Sequence, residues 1–144
     1  MATARTAKRV HFHENVVPIT VPIYGQVVLV LPGTAYLSDL YRQMGDDESA
    51  KGPFTEGTAS RMTLPTGGKL YTICVDVKCI DTIVHEVYHI VNFIFEDLGI
   101  EPDLYNDEPG AYLMGWLAGE VHDALKGVKI VPFGKPLPPE TPAE

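Results

Sequence analysis

The sequence has few of the features that mark secreted, membrane or nucleic-acid-binding proteins. Its 144 residues include only two cysteines, Cys74 and Cys79, so we expect free thiols and no disulfide framework. Basic residues are also scarce, with 11 Lys and Arg against 19 Asp and Glu and a formal net charge of −8. Because phosphate contacts require clustered Lys and Arg, this balance argues against a nucleic-acid partner.

Targeting and membrane-spanning segments are absent as well. The N-terminus carries Arg5, Lys8 and Arg9 but no apolar stretch behind them, so it does not resemble a signal peptide. Polar and charged residues such as Asp81 and Glu96 interrupt the longest apolar run, so we expect no membrane span. These absences favour an intracellular protein.

What the sequence does contain is enough apolar material for one core. Hydrophobic residues make up 45% of the chain, and we predict a single domain over residues 16–126. Residues 1–15 are predicted to form an N-terminal arm. Residues 127–144 contain five prolines and are predicted to be an extended tail that packs on a neighbour or stays mobile.

Apolar patterning predicts both strands and helices within this domain. A continuous apolar run at 27–31 indicates a strand that is buried on both faces. The stretch 45–69 is rich in Gly, Pro, Ser and Thr and is predicted to be an irregular functional loop. The predicted elements are strands at 16–21 and 24–31, a helix at 35–44, a strand at 69–78, a helix at 80–98 ended by Gly99, and a helix at 108–126 capped by Asn106 or Asp107.

The residues His85-Glu86-Val87-Tyr88-His89 form an H-E-x-x-H motif within the predicted helix at 80–98. Histidines at i and i+4 project from one helix face about one turn apart, so both imidazoles can reach one metal ion. The glutamate between them can take a proton from water that the metal activates. The motif therefore predicts a Zn²⁺ site, and the alternative is a buried helix with two incidental histidines.

The polar residues of this helix fall on one stripe of its surface. At 100° per residue the stripe comprises Asp81, His85, Tyr88, His89, Asn92 and Glu96, and the other positions are largely apolar. A polar stripe on a buried helix needs partners, which a metal and the groups around it would supply. A stripe that simply faces solvent is the alternative.

A third ligand is expected after this helix, because zinc sites of this kind use three protein ligands and leave one position open. Glu108 follows His89 after eighteen residues, in the segment Asn106-Asp107-Glu108-Pro109-Gly110-Ala111-Tyr112. This arrangement resembles the gluzincins, H-E-x-x-H metallopeptidases whose third ligand is a glutamate on a following helix. The resemblance implies a zinc ion bound by His85, His89 and Glu108. Asp107 is the second candidate for the third ligand.

The second half of the chain also resembles short bacteriophage-encoded proteins that carry H-E-x-x-H and are usually described as metallopeptidases. This resemblance covers about residues 70–126 and rests on three segments, Asn106-Asp107-Glu108, Ala111-Tyr112-Leu113 and Gly115-Trp116-Leu117. It implies an α+β fold of a minimal zincin-like kind. In that fold a small mixed sheet packs against the H-E-x-x-H helix and a following helix that carries the third ligand.

Two functions follow from these resemblances. The first is a zinc-dependent metallopeptidase that hydrolyses a peptide or protein substrate, with Glu86 as general base. Tyr112 is the favoured oxyanion donor, and Tyr88 and Tyr105 are the alternatives. The second is a structural or assembly component of a phage particle, such as a head–tail or tail protein, which retains the metal site and contacts other phage structural proteins. Either function places the protein in the host cytoplasm or in a virion, and oligomerisation is left open.

Three further expectations concern the surroundings of the site. Gly115 and Gly119 share a helix face with Glu108, which predicts that this face packs closely on the metal helix. In zincins an edge strand lies beside the site, and the resemblance gives that position to 27–31 or 70–77. Asp81 or Asn92 is expected to orient a metal-binding histidine.

Overall fold

The computed structural model describes residues 9–143, and the first eight residues of the predicted N-terminal arm lie outside this range. The described chain forms one four-stranded sheet and four helices, which confirms the predicted α+β class. The elements are, in chain order, β1 (Val17–Thr20), β2 (Val27–Leu31), α1 (Thr34–Gln43), α2 (Asp47–Ala50), β3 (Gly57–Thr63), β4 (Lys69–Val75), α3 (Ile80–Leu98) and α4 (Glu108–Leu125).

The sheet is mixed, as predicted, and its strand order is β1-β2-β4-β3. β2 and β4 are parallel neighbours, whereas β1 pairs with β2 and β3 pairs with β4 in antiparallel fashion. The expectation that 27–31 or 70–77 forms the edge beside the site is therefore wrong. Both segments are apolar on both faces, and such strands occupy the middle of a sheet, where helices cover each side.

β3 lies within the stretch 45–69, which we predicted to be irregular. That prediction is wrong for Gly57–Thr63 and for the short helix Asp47–Ala50. β3 is built mainly from small or polar residues that are half-buried or exposed, so it lacks the apolar alternation that marks a strand. Its pairing with β4 extends over all seven residues, from Gly57 opposite Val75 to Thr63 opposite Lys69.

Side chains from the two faces of the central strands form two cores. Val28 and Val30 of β2 pack with α3 and α4, and the alternate residues Leu29 and Leu31 pack with α1. This alternation follows from the period of two along a strand, and it confirms that β2 is buried on both faces. The sheet thus separates an α1 layer from an α3–α4 layer.

The Pro-rich tail crosses the α1 side of its own chain. Val131 is buried there, and its carbonyl accepts a hydrogen bond of 3.0 Å from the Ala35 N–H. Further along, the Glu140 carboxylate lies 2.7 Å from His11 Nε2 and accepts a 2.9 Å hydrogen bond from the Glu14 N–H. The tail, which we expected to pack on a neighbour or stay mobile, therefore ties the described part of the N-terminal arm to the domain.

α3 carries the H-E-x-x-H motif on the sheet face opposite α1. It begins after Cys79 and ends at Gly99, whose φ of 70° lies in the left-handed region, as predicted for a glycine C-cap. Its apolar face, which includes Ile83, Val87 and Ile90, is buried against the sheet and α4. None of the described helices is long and apolar enough to cross a membrane.

Candidate metal centre

His85 and His89 lie side by side on the exposed face of α3. Their Nε2 atoms are 3.2 Å apart and their ring centroids are 5.0 Å apart. Two nitrogens bound to a tetrahedral zinc ion at about 2.05 Å would lie roughly 3.3 Å from each other. The pair therefore has the spacing of two ligands of one ion.

The polar stripe of α3 faces solvent. Asn92 is half-buried, and the five other members, Asp81, His85, Tyr88, His89 and Glu96, are exposed. Water can hydrogen-bond to these exposed groups, so the stripe does not by itself indicate a metal site. The metal site is supported instead by the geometry of the two histidines and by Glu86.

Glu86 lies beside this stripe and is buried against β3. Its side chain is only 9% exposed, and its Oε1 is 3.9 Å from His85 Nε2. A Cβ added at Gly57, the first residue of β3, would lie 2.9 Å from the same oxygen and 2.6 Å from Thr82 Cγ2. The glycine therefore makes room for a carboxylate against the strand. Within residues 9–143 the contact with His85 is the only polar side-chain contact of Glu86.

A cleft of about 760 Å³ opens beside Glu86, between the first turns of α3 and the start of β3. Its lining residues are Phe54, Thr55, Glu56 and Gly57 on one side and Asp81, Thr82, His85 and Glu86 on the other. Three of these side chains are carboxylates and none is Lys or Arg, so the cleft favours cations. Sequence reasoning missed the wall at 54–57, because only the fold of β3 brings it to the helix.

Glu108 is the first residue of α4 and is exposed. Gly110, two residues later, faces α3, since a Cβ added there would lie 3.5 Å from the Phe95 ring. Two residues correspond to 200° on a helix, so Glu108 lies on nearly the opposite side of α4 from the Phe95 contact. Among residues 9–143 no three His, Cys, Asp or Glu side chains are placed to hold a metal. The structure thus brings the two histidines together without Glu108.

Four other residues singled out from sequence, Asp107, Tyr112, Gly115 and Gly119, do not line the cleft. Tyr112 is 75% exposed on α4 and is not among the residues that line the cleft. Asp107 lines a separate groove between α3 and α4. The prediction that Gly115 and Gly119 allow close packing on the metal helix is wrong, because a Cβ at either position would meet nothing within 4 Å. The glycine at the helix contact is Gly110.

An aromatic contact, not a carboxylate, flanks His89. The Phe93 ring stacks on His89 with centroids 6.5 Å apart and an interplanar angle of 24°. The Arg61 guanidinium lies over the Phe93 ring, 4.9 Å from the ring centroid. In the described part of the chain, neither Asp81 nor Asn92 hydrogen-bonds to a motif histidine, so neither orients the pair in this state.

Comparison with known proteins adds no assignment: no protein-family model matches the chain, and no curated protein and no solved structure matches it. The residues and their geometry are therefore the only basis for a functional proposal.

Proposed function

We propose that this chain is a zinc-dependent metallopeptidase-like protein in which His85 and His89 bind the metal and Glu86 is the general base. The observation that carries the proposal is that two convergent imidazoles lie beside Glu86, a largely buried side chain whose carboxylate lines the cleft and has no donor among residues 9–143.

Each motif residue has a distinct part in this proposal. His85 and His89 would hold the ion through Nε2. Glu108, or Asp107 as the alternative, is proposed as the third ligand and would have to move from its place in the described structure to reach the ion. A bound zinc ion supplies Lewis acidity and lowers the pKa of water toward neutrality. Glu86 accepts the proton from a water in the cleft, since its Oε1 lies 3.9 Å from His85 Nε2 and has no donor among residues 9–143.

β3 offers a surface for an extended substrate. Within residues 9–143 it pairs only with β4, so the backbone N–H and C=O groups of its outer edge are available to pair with another chain. The start of this edge forms one wall of the cleft that contains Glu86. A peptide added to β3 as a further strand would pass the carboxylate and the histidines, which is the arrangement that hydrolysis needs.

Zinc titration tests the metal site. We expect His85→Ala and His89→Ala to weaken zinc binding at least about tenfold in isothermal titration calorimetry, because each removes one direct ligand. His122→Ala is the matched control, since His122 is also exposed on a helix but lies on α4. Glu108→Gln and Asp107→Asn decide between the two candidates for the third ligand. Equal zinc affinity in all these variants would exclude the site.

Hydrolysis tests the role of Glu86. We expect Glu86→Gln to keep the zinc affinity of the unmodified protein and to lower the cleavage rate of a fluorogenic peptide mixture by about 10²–10⁴-fold, the usual contribution of a general base. Glu120→Gln, an exposed carboxylate of α4, is the control. If neither the zinc-loaded unmodified protein nor zinc-loaded Glu86→Gln cleaves any peptide, the metal site stands but the peptidase assignment is wrong.

A second candidate function is an assembly component of a phage particle. It is favoured by large apolar side chains that the described structure leaves in solvent near α4. Leu104 is 91% exposed, Tyr105 is fully exposed at 101%, and Tyr112 is 75% exposed. Surfaces of this kind commonly serve protein contacts. If Glu86→Gln leaves the biological task intact while substitutions of these apolar residues abolish it, assembly is the better description.

A further inference from the structure

A groove of about 320 Å³ lies between α3, α4 and the connection that joins them. Its lining residues are Tyr88, Val91, Asn92, Phe95, Pro102, Asp103, Leu104, Asp107, Gly110, Ala111 and Met114. None of these residues lines the cleft beside Glu86. The groove is therefore a separate surface on the other flank of α3, and of the residues named for the proposed metal site only Asp107, the alternative third ligand, lines it.

The groove is mostly apolar and its rim is unusually exposed. Leu104 is 91% exposed and Tyr88 is 54% exposed, and the neighbouring Tyr105 has no part of its side chain covered. Burial of apolar surface is worth about 25 cal/mol per Å², so a partner that covers this rim gains stability from it. The volume lies at the small end of the range for ligand sites, about 300–1,000 Å³, and suits one anchoring side chain of a larger partner.

Charge determines what kind of partner fits. Residues 79–125, which include α3, α4 and their connection, contain ten Asp and Glu and no Lys or Arg. Two of these carboxylates, Asp103 and Asp107, line the groove itself, and within residues 9–143 neither forms a salt bridge. A basic segment would meet this field favourably, whereas an acidic segment would be repelled.

We infer that the groove docks an amphipathic basic segment of another protein, with one aliphatic or aromatic side chain in the groove and Lys or Arg beside Asp103 and Asp107. A second copy of the chain that contacts the first through this same face is disfavoured, because a symmetric contact would place the carboxylates of both copies opposite each other. Docking of this kind requires neither the metal nor Glu86.

Fluorescence anisotropy tests this assignment with a synthetic helical peptide that has Leu on one face and Lys on the other. Two matched peptides accompany it, one with Glu in place of Lys and one with Ser in place of Leu. We expect the Leu–Lys peptide to bind most tightly and its affinity to fall at high salt. Binding should be unchanged by a metal chelator and by His85→Ala, so the result does not depend on the proposed catalysis.

Variants locate the binding surface. Ala111→Trp fills the groove and should weaken binding of the Leu–Lys peptide at least about tenfold, a change of about 1.4 kcal/mol. Asp103→Asn combined with Asp107→Asn should weaken it by a smaller factor and reduce its salt dependence. Asp47→Asn combined with Glu48→Gln, on the exposed first turn of α2, is the matched charge control and should bind as the unmodified protein does.

The competing outcomes are distinct. Equal binding of the Glu peptide, or undiminished binding to Ala111→Trp, would overturn the inference. A dimer in analytical ultracentrifugation that Ala111→Trp dissociates would identify a second copy as the occupant and overturn it as well. If Ala111→Trp does not fold by circular dichroism, Leu104→Ser provides the same test from the exposed connection, and undiminished binding to that variant would count against the groove.

Discussion

Two carboxylates of α3 face β3 at opposite ends of the helix–strand contact, and they differ in their partners. Asp97 accepts hydrogen bonds from Lys69 Nζ at 2.6 Å, from Arg61 Nη1 at 3.1 Å and from the Tyr71 hydroxyl. Glu86, eleven residues earlier and about 16 Å away along the helix, has no hydrogen-bond donor in the described chain. We call these the paired end and the unpaired end of the α3–β3 contact.

The electrostatics of the paired end follow from its donors. Hydrogen bonds from Lys69 and then from Tyr71 hold the pKa of the Asp97 carboxyl below its usual range. Burial and the adjacent Asp97 raise the pKa of the Tyr71 hydroxyl. Strands β3 and β4 are thereby tied to the last turns of α3. In the described chain Asp97 thus has three donors that stabilise the fold, whereas Glu86, at the other end of the same helix, has none.

The largest effect is expected at the paired end. Asp97→Asn should lower the free energy of unfolding by about 2 kcal/mol, because it replaces a charged acceptor of three hydrogen bonds with an amide that also presents its own N–H donors. Urea unfolding followed by circular dichroism measures this change. A loss no larger than that of Asp39→Asn, a carboxylate of α1 outside this contact, would show that the paired end does not stabilise the fold.

Acid should remove the contribution of the paired end. Because the pKa of Asp97 is lower in the folded than in the unfolded protein, its stabilisation is present above about pH 4 and is lost as pH falls through the folded pKa. The difference in unfolding free energy between the unmodified protein and Asp97→Asn should therefore shrink below about pH 4. A difference that stays constant from neutral to acid pH would contradict the assignment.

At the unpaired end, an added Cβ in β3 should affect stability more than removal of the Glu86 charge does. Gly57→Ala should cost about 1 kcal/mol, because the added Cβ would meet Thr82 Cγ2 at 2.6 Å and Glu86 Oε1 at 2.9 Å. Gly115→Ala is the matched control, since its Cβ meets nothing and alanine favours a helix. Thermal unfolding should show opposite signs for the two substitutions. Equal signs would mean that Gly57 does not make room for the carboxylate.

The smallest effect is expected for Glu86→Gln. Removing the charge of a carboxylate that lies on a largely buried side chain and has no donor among residues 9–143 should leave stability unchanged or raise it by about 0.5 kcal/mol. The same acid-to-amide change therefore destabilises one end of α3 and not the other. If Glu86→Gln loses as much stability as Asp97→Asn in the same urea series, then Glu86 stabilises the fold, and the proposal that it is a functional residue is wrong.

Much of this architecture could be predicted from the sequence because the relevant signals are local. β2, β4, α1, α3 and α4 follow from apolar runs and helical periodicity, and the end of α3 follows from Gly99. β3 could not be found in this way, because an edge strand of small and polar residues is stabilised by its pairing with β4 and not by its own pattern. The wall of the cleft was missed for the same reason.

The candidate site could likewise be predicted from local sequence only in part. H-E-x-x-H spacing on a helix places His85 and His89 together, because a turn of helix determines the distance between i and i+4. Which carboxylate is buried and where Glu108 lies depend on the packing of β3 and α4, and no local pattern carries that information. The sequence by itself thus determined the histidine pair and the helix that bears it. Tertiary packing places the Glu86 side chain against β3 with no donor among residues 9–143 and sets Glu108 apart from the histidines, because contacts between distant segments determine burial and orientation.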